Sequence, residues 1–123
     1  MTKMKNQPRR AFSKLIGKIG WCSGATLGLP IGHYVFIRRV HGNLCDVNTI
    51  SSIETINQRF EIGKIHMVKN GIIYPIPTKD TTLSRFSGID RRVIRNIPIS
   101  DIQCIGHQNI KGRHHHYIQK YMK

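Results

Sequence analysis

Two patterns of hydrophobic and polar positions divide this chain of 123 residues. From Ile19 to Ile37 no residue carries a formal charge, and Arg38-Arg39 close the run. A bilayer-spanning helix needs roughly 20 apolar residues, so the length predicts a membrane-spanning or signal helix over 19–37, the other reading being a Gly-rich loop and strand inside a soluble basic protein. Beyond residue 40 the apolar runs become short and β-prone. "KIHMVKNGIIYPIP" sets Asn70-Gly71 between two such runs, and both residues tolerate the positive φ of a type I′ turn, which predicts a β-hairpin. Pro75 and Pro77 end its second strand or hold it at a sheet edge. "RRVIRNIPI" and the alternation in "DIQCIGHQNI" add further strands. The fold expected is mainly β, a small all-β domain over 40–112 behind one N-terminal helix.

Glycine refines the reading of the first run. Gly20, Gly24, Gly28 and Gly32 recur every fourth position, which on a helix forms one small-residue face able to receive a second membrane helix, here from another envelope protein. Trp21, Tyr34 and Phe36 sit towards its ends, where interfacial rings are expected.

Charge then gives the segment a direction. The chain has 20 Lys and Arg against 6 Asp and Glu, a net +14. Six of the bases and none of the acids precede residue 19, whereas residues 40–123 hold twelve bases against six acids. The positive-inside bias keeps residues 1–18 in the cytoplasm and sends the rest across, so the expected location is the inner or cytoplasmic membrane, single-pass, with membrane lipids as partners. Arg9-Arg10-Ala11-Phe12-Ser13-Lys14 resembles the twin-arginine export motif, carried by Arg9, Arg10, Phe12 and Lys14.

An exported domain permits a disulfide, and Cys45 with Cys104 is the pair available outside the apolar run; two unpaired buried thiols is the other reading. No Cys or His spacing suggests zinc. His107 and the run His114-His115-His116 suit a borderline metal by type, but three adjacent histidines cannot face one site on a regular element. No metal or cofactor is expected. Residues 113–123 read as a basic, His-rich tail or a short amphipathic helix with Tyr117, Ile118, Tyr121 and Met122 on one side.

The order of motifs resembles that of type I signal peptidases: an anchor, then a Ser box at Ser52-Ile53-Glu54-Thr55-Ile56, then "RFEIGKIHMVKNG", then "IDRRVIRNIPISD". The resemblance implies a β scaffold with Ser52 at the nucleophile position and Arg91 or Arg92 at the position of the base. In those enzymes a neutral lysine takes the serine proton. Arginine does not deprotonate in a protein, so the resemblance implies the scaffold without its dyad. Lys69, the other conceivable base, sits beside the expected turn.

The resulting expectation is a membrane-anchored exported β domain, binding or assembling within an envelope complex of secretion or conjugation type, with Arg91, Arg92, Arg95, Lys111 and Arg113 as candidate binding residues. The competing expectation is an RNA-binding or ribosome-associated protein. The basic stretches give the footprint that phosphate binding requires, and Tyr117 or Tyr121 could stack on a base. An active peptidase using Ser52 is the third.

Overall fold

A computed structural model describes residues 12–53, 66–68 and 71–123, the backbone alone at 66–68. The described strands are β1 (Ile19–Cys22), β2 (His33–His41), β3 (Leu44–Ser52), β4 (His66–Val68), β5 (Gly71–Ile76), β6 (Ser87–Pro98) and β7 (Gln103–Gln108). They form one antiparallel sheet in the order β4-β5-β6-β3-β2-β1-β7. Two short helices accompany it, α1 (Gly24–Leu27) and α2 (His115–Tyr121). The mainly β expectation holds.

The expected helix over 19–37 is replaced by strand, single-turn helix and strand. Ser23 caps α1 by accepting from the Thr26 N–H, and Gly28 ends it at φ 70°, a left-handed conformation that costs glycine nothing. Gly20, Gly24, Gly28 and Gly32 therefore lie in β1, at the start of α1, at its C-cap and ahead of β2, so they share no helical face. The run is uncharged because β2 is covered on both sides: Phe36 enters one core while Val35 and Ile37 enter another. Among the described residues no helix is long and apolar enough to cross a membrane. β2 also crosses the boundary expected between residues 37 and 40.

The hairpin forms, closed one residue early. Val68 pairs with Gly71, so Gly71 begins β5 instead of completing the turn; residues 69 and 70, and with them Lys69, lie outside the described residues. Pro75 is buried within β5 opposite Gly88. Among the described residues β4 pairs β5 as far as Ile73, and none stands opposite Pro75 on that side of β5, where a proline's missing N–H is tolerated.

The sheet curls. β6 passes to β7 through Ile99–Ile102, although β3, β2 and β1 lie between these strands in the sheet. Four strand spacings in a flat sheet amount to about 19 Å. Five residue steps reach about 17 Å fully extended, and a 3-10 turn at Ile99–Asp101 shortens them. The sheet therefore wraps round the second core, bringing Cys22 of β1 and Cys45 of β3 into one cluster with Ile99 and Ile102.

Cys45 is a buried free thiol there, and Cys104 is an exposed free thiol on β7. The expected disulfide is not present. β7 carries an irregularity where pairing jumps from Ile19–Gln108 to Trp21–Gln103, and Cys104 sits inside it at φ 54°, turned to solvent.

The opposite face of the sheet is covered by α2. Ile118 and Met122 are fully buried against Ile19, Phe36, Ile50 and Ile89. Residues 113–123 are thus part of the core and not a tail. Polar groups fix the docking: Arg38 donates to the carbonyls of Gln119 (2.9 Å) and Met122 (2.8 Å), and Gln119 Nε2 returns a bond to the Arg38 carbonyl (2.7 Å). A helix leaves its last carbonyls unpaired and negative, and a guanidinium answers both conditions.

Candidate functional site

The described residues hold four acids and thirteen Lys or Arg, and twelve of those bases are exposed, Arg38 being the exception. Three of the acids are turned inward. Asp46 is buried and accepts from His41 (3.0 Å) and the Asn96 N–H (3.0 Å), with Arg95 at 3.7 Å. Burial pushes its carboxyl up, but these partners outweigh burial and hold it below its ordinary value. Asp90 accepts from Thr49 (2.9 Å) and Ser51 (2.6 Å). Asp80 is buried among Arg113, His114 (2.8 Å) and Lys111 (3.6 Å), and the bonds from Arg113 and then His114 hold it well below the usual carboxylate range. Asp101 is exposed. The surface formed by the described residues is therefore more basic than their composition alone conveys.

Asp80 organises one end of a basic track. Its backbone oxygen accepts from the Lys111 N–H (2.8 Å), and Thr81 bridges to Ile110. Thr81 Oγ1 donates to the Asn109 carbonyl (2.8 Å), while Thr82 Oγ1 accepts from the Asn109 N–H (2.8 Å). A depression lined by Lys79, Thr81, Thr82, Asn109 and Lys111 lies over this staple, with Asp80 in its floor. Asp80 Oδ1 has no hydrogen-bond partner among the described residues, so Lys111 Nζ supplies its nearest counter-charge. Behind it His114 reaches the Tyr74 hydroxyl (2.8 Å), and Tyr74 stacks on Tyr117.

The same loop leads to an aromatic end. Leu83, Ser84 and Arg85 border a groove with Tyr34, Ile50 and Ser52. A neighbouring hollow adds Trp21, Ile31, Gly32 and His33. Trp21 pairs directly with Tyr34, and Tyr34 with Ile50, so the three are adjacent in one cross-strand row. Two-residue alternation places Trp21 on the side of Ile19 and Tyr34 on the side of Phe36, the face that α2 covers further along. Here it does not reach: Tyr34 is 39% exposed and Ile31 66%.

Ser52 and Arg91, the positions that the signal-peptidase resemblance singles out, are not brought together. Ser52 is exposed at the end of β3 opposite Ser87. Arg91 lies four residues further along β6, about 13 Å at strand spacing, where its Nε donates to the Lys123 backbone oxygen (3.1 Å). Of the candidate binding residues, Arg91 and Arg92 are exposed on β6, Arg95 approaches Asp46, and Lys111 and Arg113 stand on Asp80. Phe12 packs on the second core and Lys14 is exposed; Arg9 and Arg10 lie outside the described residues. The histidines diverge: His114 turns to Asp80, His115 bonds the Ile110 carbonyl (3.1 Å), and His116 and His107 are exposed. Tyr117 is committed to Tyr74, whereas Tyr121 is 43% exposed with Lys120 over its ring.

Sequence reasoning missed Asp80, Arg85 and the pairing of Trp21 with Tyr34. From sequence alone both rings are expected at membrane interfaces, and only the β1–β2 register makes them neighbours. No family model, no curated protein and no solved structure matches this chain.

Proposed function

We propose that this protein binds nucleic acid through its basic surface, single-stranded RNA being the natural ligand class. The observation that carries the reading is the disposal of the acids: among the described residues Asp46, Asp80 and Asp90 are held by partners within the protein, Asp80 by His114, Arg113 and Lys111, while Arg39, Lys79, Arg85, Arg91 and Arg92 face outward. A polyanion meets positive charge with little local opposition, and counterion release drives binding. The envelope reading drew its membrane attachment from residues 19–37, and those residues are spent on β1, α1 and β2. The basic surface would also attract anionic lipid heads, which makes vesicles the informative control.

The test is a fluorescence-polarisation titration of the full chain with a labelled single-stranded RNA at several salt concentrations, with vesicles containing anionic lipid as competitor. If six phosphates are engaged, affinity falls by roughly 300-fold between 50 and 200 mM salt. Affinity insensitive to salt, or complete displacement by vesicles at equal charge, would sink the reading.

A further inference from the structure

We infer that the Trp21–Tyr34 pair is a stacking platform for unpaired bases, and that Arg85 and the Lys79–Thr82 track beside it take the flanking phosphates. The inference rests on the nucleic-acid reading and names where and how the strand is held.

The platform is built before any ligand arrives. Trp21 lies against Gly32, and a Cβ at Gly32 would enter the space of the indole six-membered ring and stand 2.9 Å from the Cys22 carbonyl oxygen. The Gly32 backbone therefore lies close against the ring and restricts its movement. Tyr34 stands beside it on β2, backed by Ile50 on β3, so two aromatic faces are carried on hydrogen-bonded strands and not on loops. Exposed apolar surface at Ile31 and Tyr34 is left over after both cores are filled.

Charge selects the occupant. The two hollows are lined by apolar side chains, by Ser51, Ser52, Ser84 and Ser87, by His33 and by Arg85, with no acid among the described residues. Arg85 is exposed and makes no ion pair among the described residues. Six residues back along the same loop is Lys79, and across from it Lys111. Rings at one end and cations at the surface of the loop suit a single strand, whose unpaired bases supply sequence-tolerant stacking while its phosphates meet the cations. A duplex keeps its bases stacked on one another and offers this platform nothing.

Trp21 is the chain's sole tryptophan, so intrinsic fluorescence reports the platform directly. The full chain is titrated with a single-stranded oligouridylate, with an RNA duplex of equal phosphate count and with inorganic polyphosphate. The single strand should quench Trp21, whereas the duplex and polyphosphate should bind without quenching. Tyr34→Ala should weaken single-strand binding roughly tenfold, the scale of one lost base stack, and leave polyphosphate binding unchanged; Tyr34→Phe should restore it. Because Tyr34 is exposed, a folded Tyr34→Ala protein is expected, and circular dichroism checks it. Salt-dependent single-strand binding with neither quenching nor a Tyr34→Ala effect overturns the platform and spares the electrostatic reading. No binding to any of the three polyanions removes both. Quenching by anionic vesicles without oligouridylate binding assigns the patch to a lipid surface and overturns the inference.

Discussion

Asp80 Oδ2 accepts a hydrogen bond from His114 Nε2 at 2.8 Å, joining the loop after β5 to the start of α2 across 34 residues of sequence. The other ring nitrogen faces the Tyr74 hydroxyl at 2.8 Å, so a carboxylate, an imidazole and a phenol form one buried chain between the basic track and the first core. A buried carboxylate left without donors is costly; here Arg113 and His114 donate to Oδ2, and Lys111 adds a counter-charge 3.6 Å from Oδ1.

This arrangement fixes the acid limb of stability. Asp80 is held below its unfolded value of about 3.9. A carboxyl depressed on folding contributes stability that is present above the unfolded value and is lost as pH falls through the folded one. The urea midpoint should therefore be flat near neutrality and fall steadily below about pH 4. Asp80→Asn should be less stable at pH 7 and show a shallower fall in acid, with the residual slope due to Asp46, which is depressed in the same direction. Parallel curves for parent and variant between pH 2 and 5 would exclude this role.

Asn48 concerns the docking of α2. It is fully buried, donates to the Met122 carbonyl (2.5 Å) and the Asp90 carbonyl (3.0 Å), and accepts from Arg38 (2.7 Å). Asn48→Ala deprives two acceptors and a cation of their shared partner at once. A loss of about 2–3 kcal/mol is expected from bonds of this kind, measured by urea unfolding. Hydrogen exchange of the amides in His115–Tyr121 should quicken more than exchange in β3. Equal acceleration in both elements would mean that Asn48 supports the sheet and not the helix.

Much of the fold was legible. Strand-forming residues after residue 40, the hairpin near Asn70-Gly71 and the apolar side of Tyr117, Ile118 and Met122 all carry local signals, and each corresponds to an element. The segment Ile19 to Ile37 was misread for a physical reason. A strand buried on both faces loses its alternation, so an uncharged run does not distinguish such strands from a helix. Glycine at four-residue spacing deepened the ambiguity, although Gly28 serves a cap and Gly32 makes room for a ring. The site was legible only as positive charge. Asp80 with His114, and Trp21 with Tyr34, are joined by topology and strand register, which composition and spacing do not encode.

The cysteines give a direct check on the curl of the sheet. Burial, then the Asp101 charge, pushes Cys22 up to about 11; burial, then Cys22 and Asp46, pushes Cys45 up to about 12. Thiolate is the reactive form, so both should be inert at pH 8, whereas exposed Cys104 should react freely. An aromatic disulfide reagent should titrate one thiol in the native protein and three in denaturant, and Cys104→Ser should abolish the native signal. A second fast native thiol would show that the core shared by β1, β3 and β7 is open.

Gly32→Ala tests the seat of Trp21 itself. The added methyl cannot coexist with the indole where it lies, and the Cys22 carbonyl oxygen would also stand 2.9 Å from it, so either the ring moves or the β2 entry shifts. Overpacking of this kind costs about 1–3 kcal/mol, which urea unfolding would register. The more specific consequence is optical: a displaced indole gains water, and its emission should move to longer wavelength while the far-ultraviolet circular dichroism stays that of the parent. Single-strand binding should weaken together with the emission shift, because a tilted ring no longer lies beside Tyr34, and polyphosphate binding should not change. If the emission moves and single-strand affinity is kept, Trp21 is a packing residue only, and any stacking would have to be carried by Tyr34 alone.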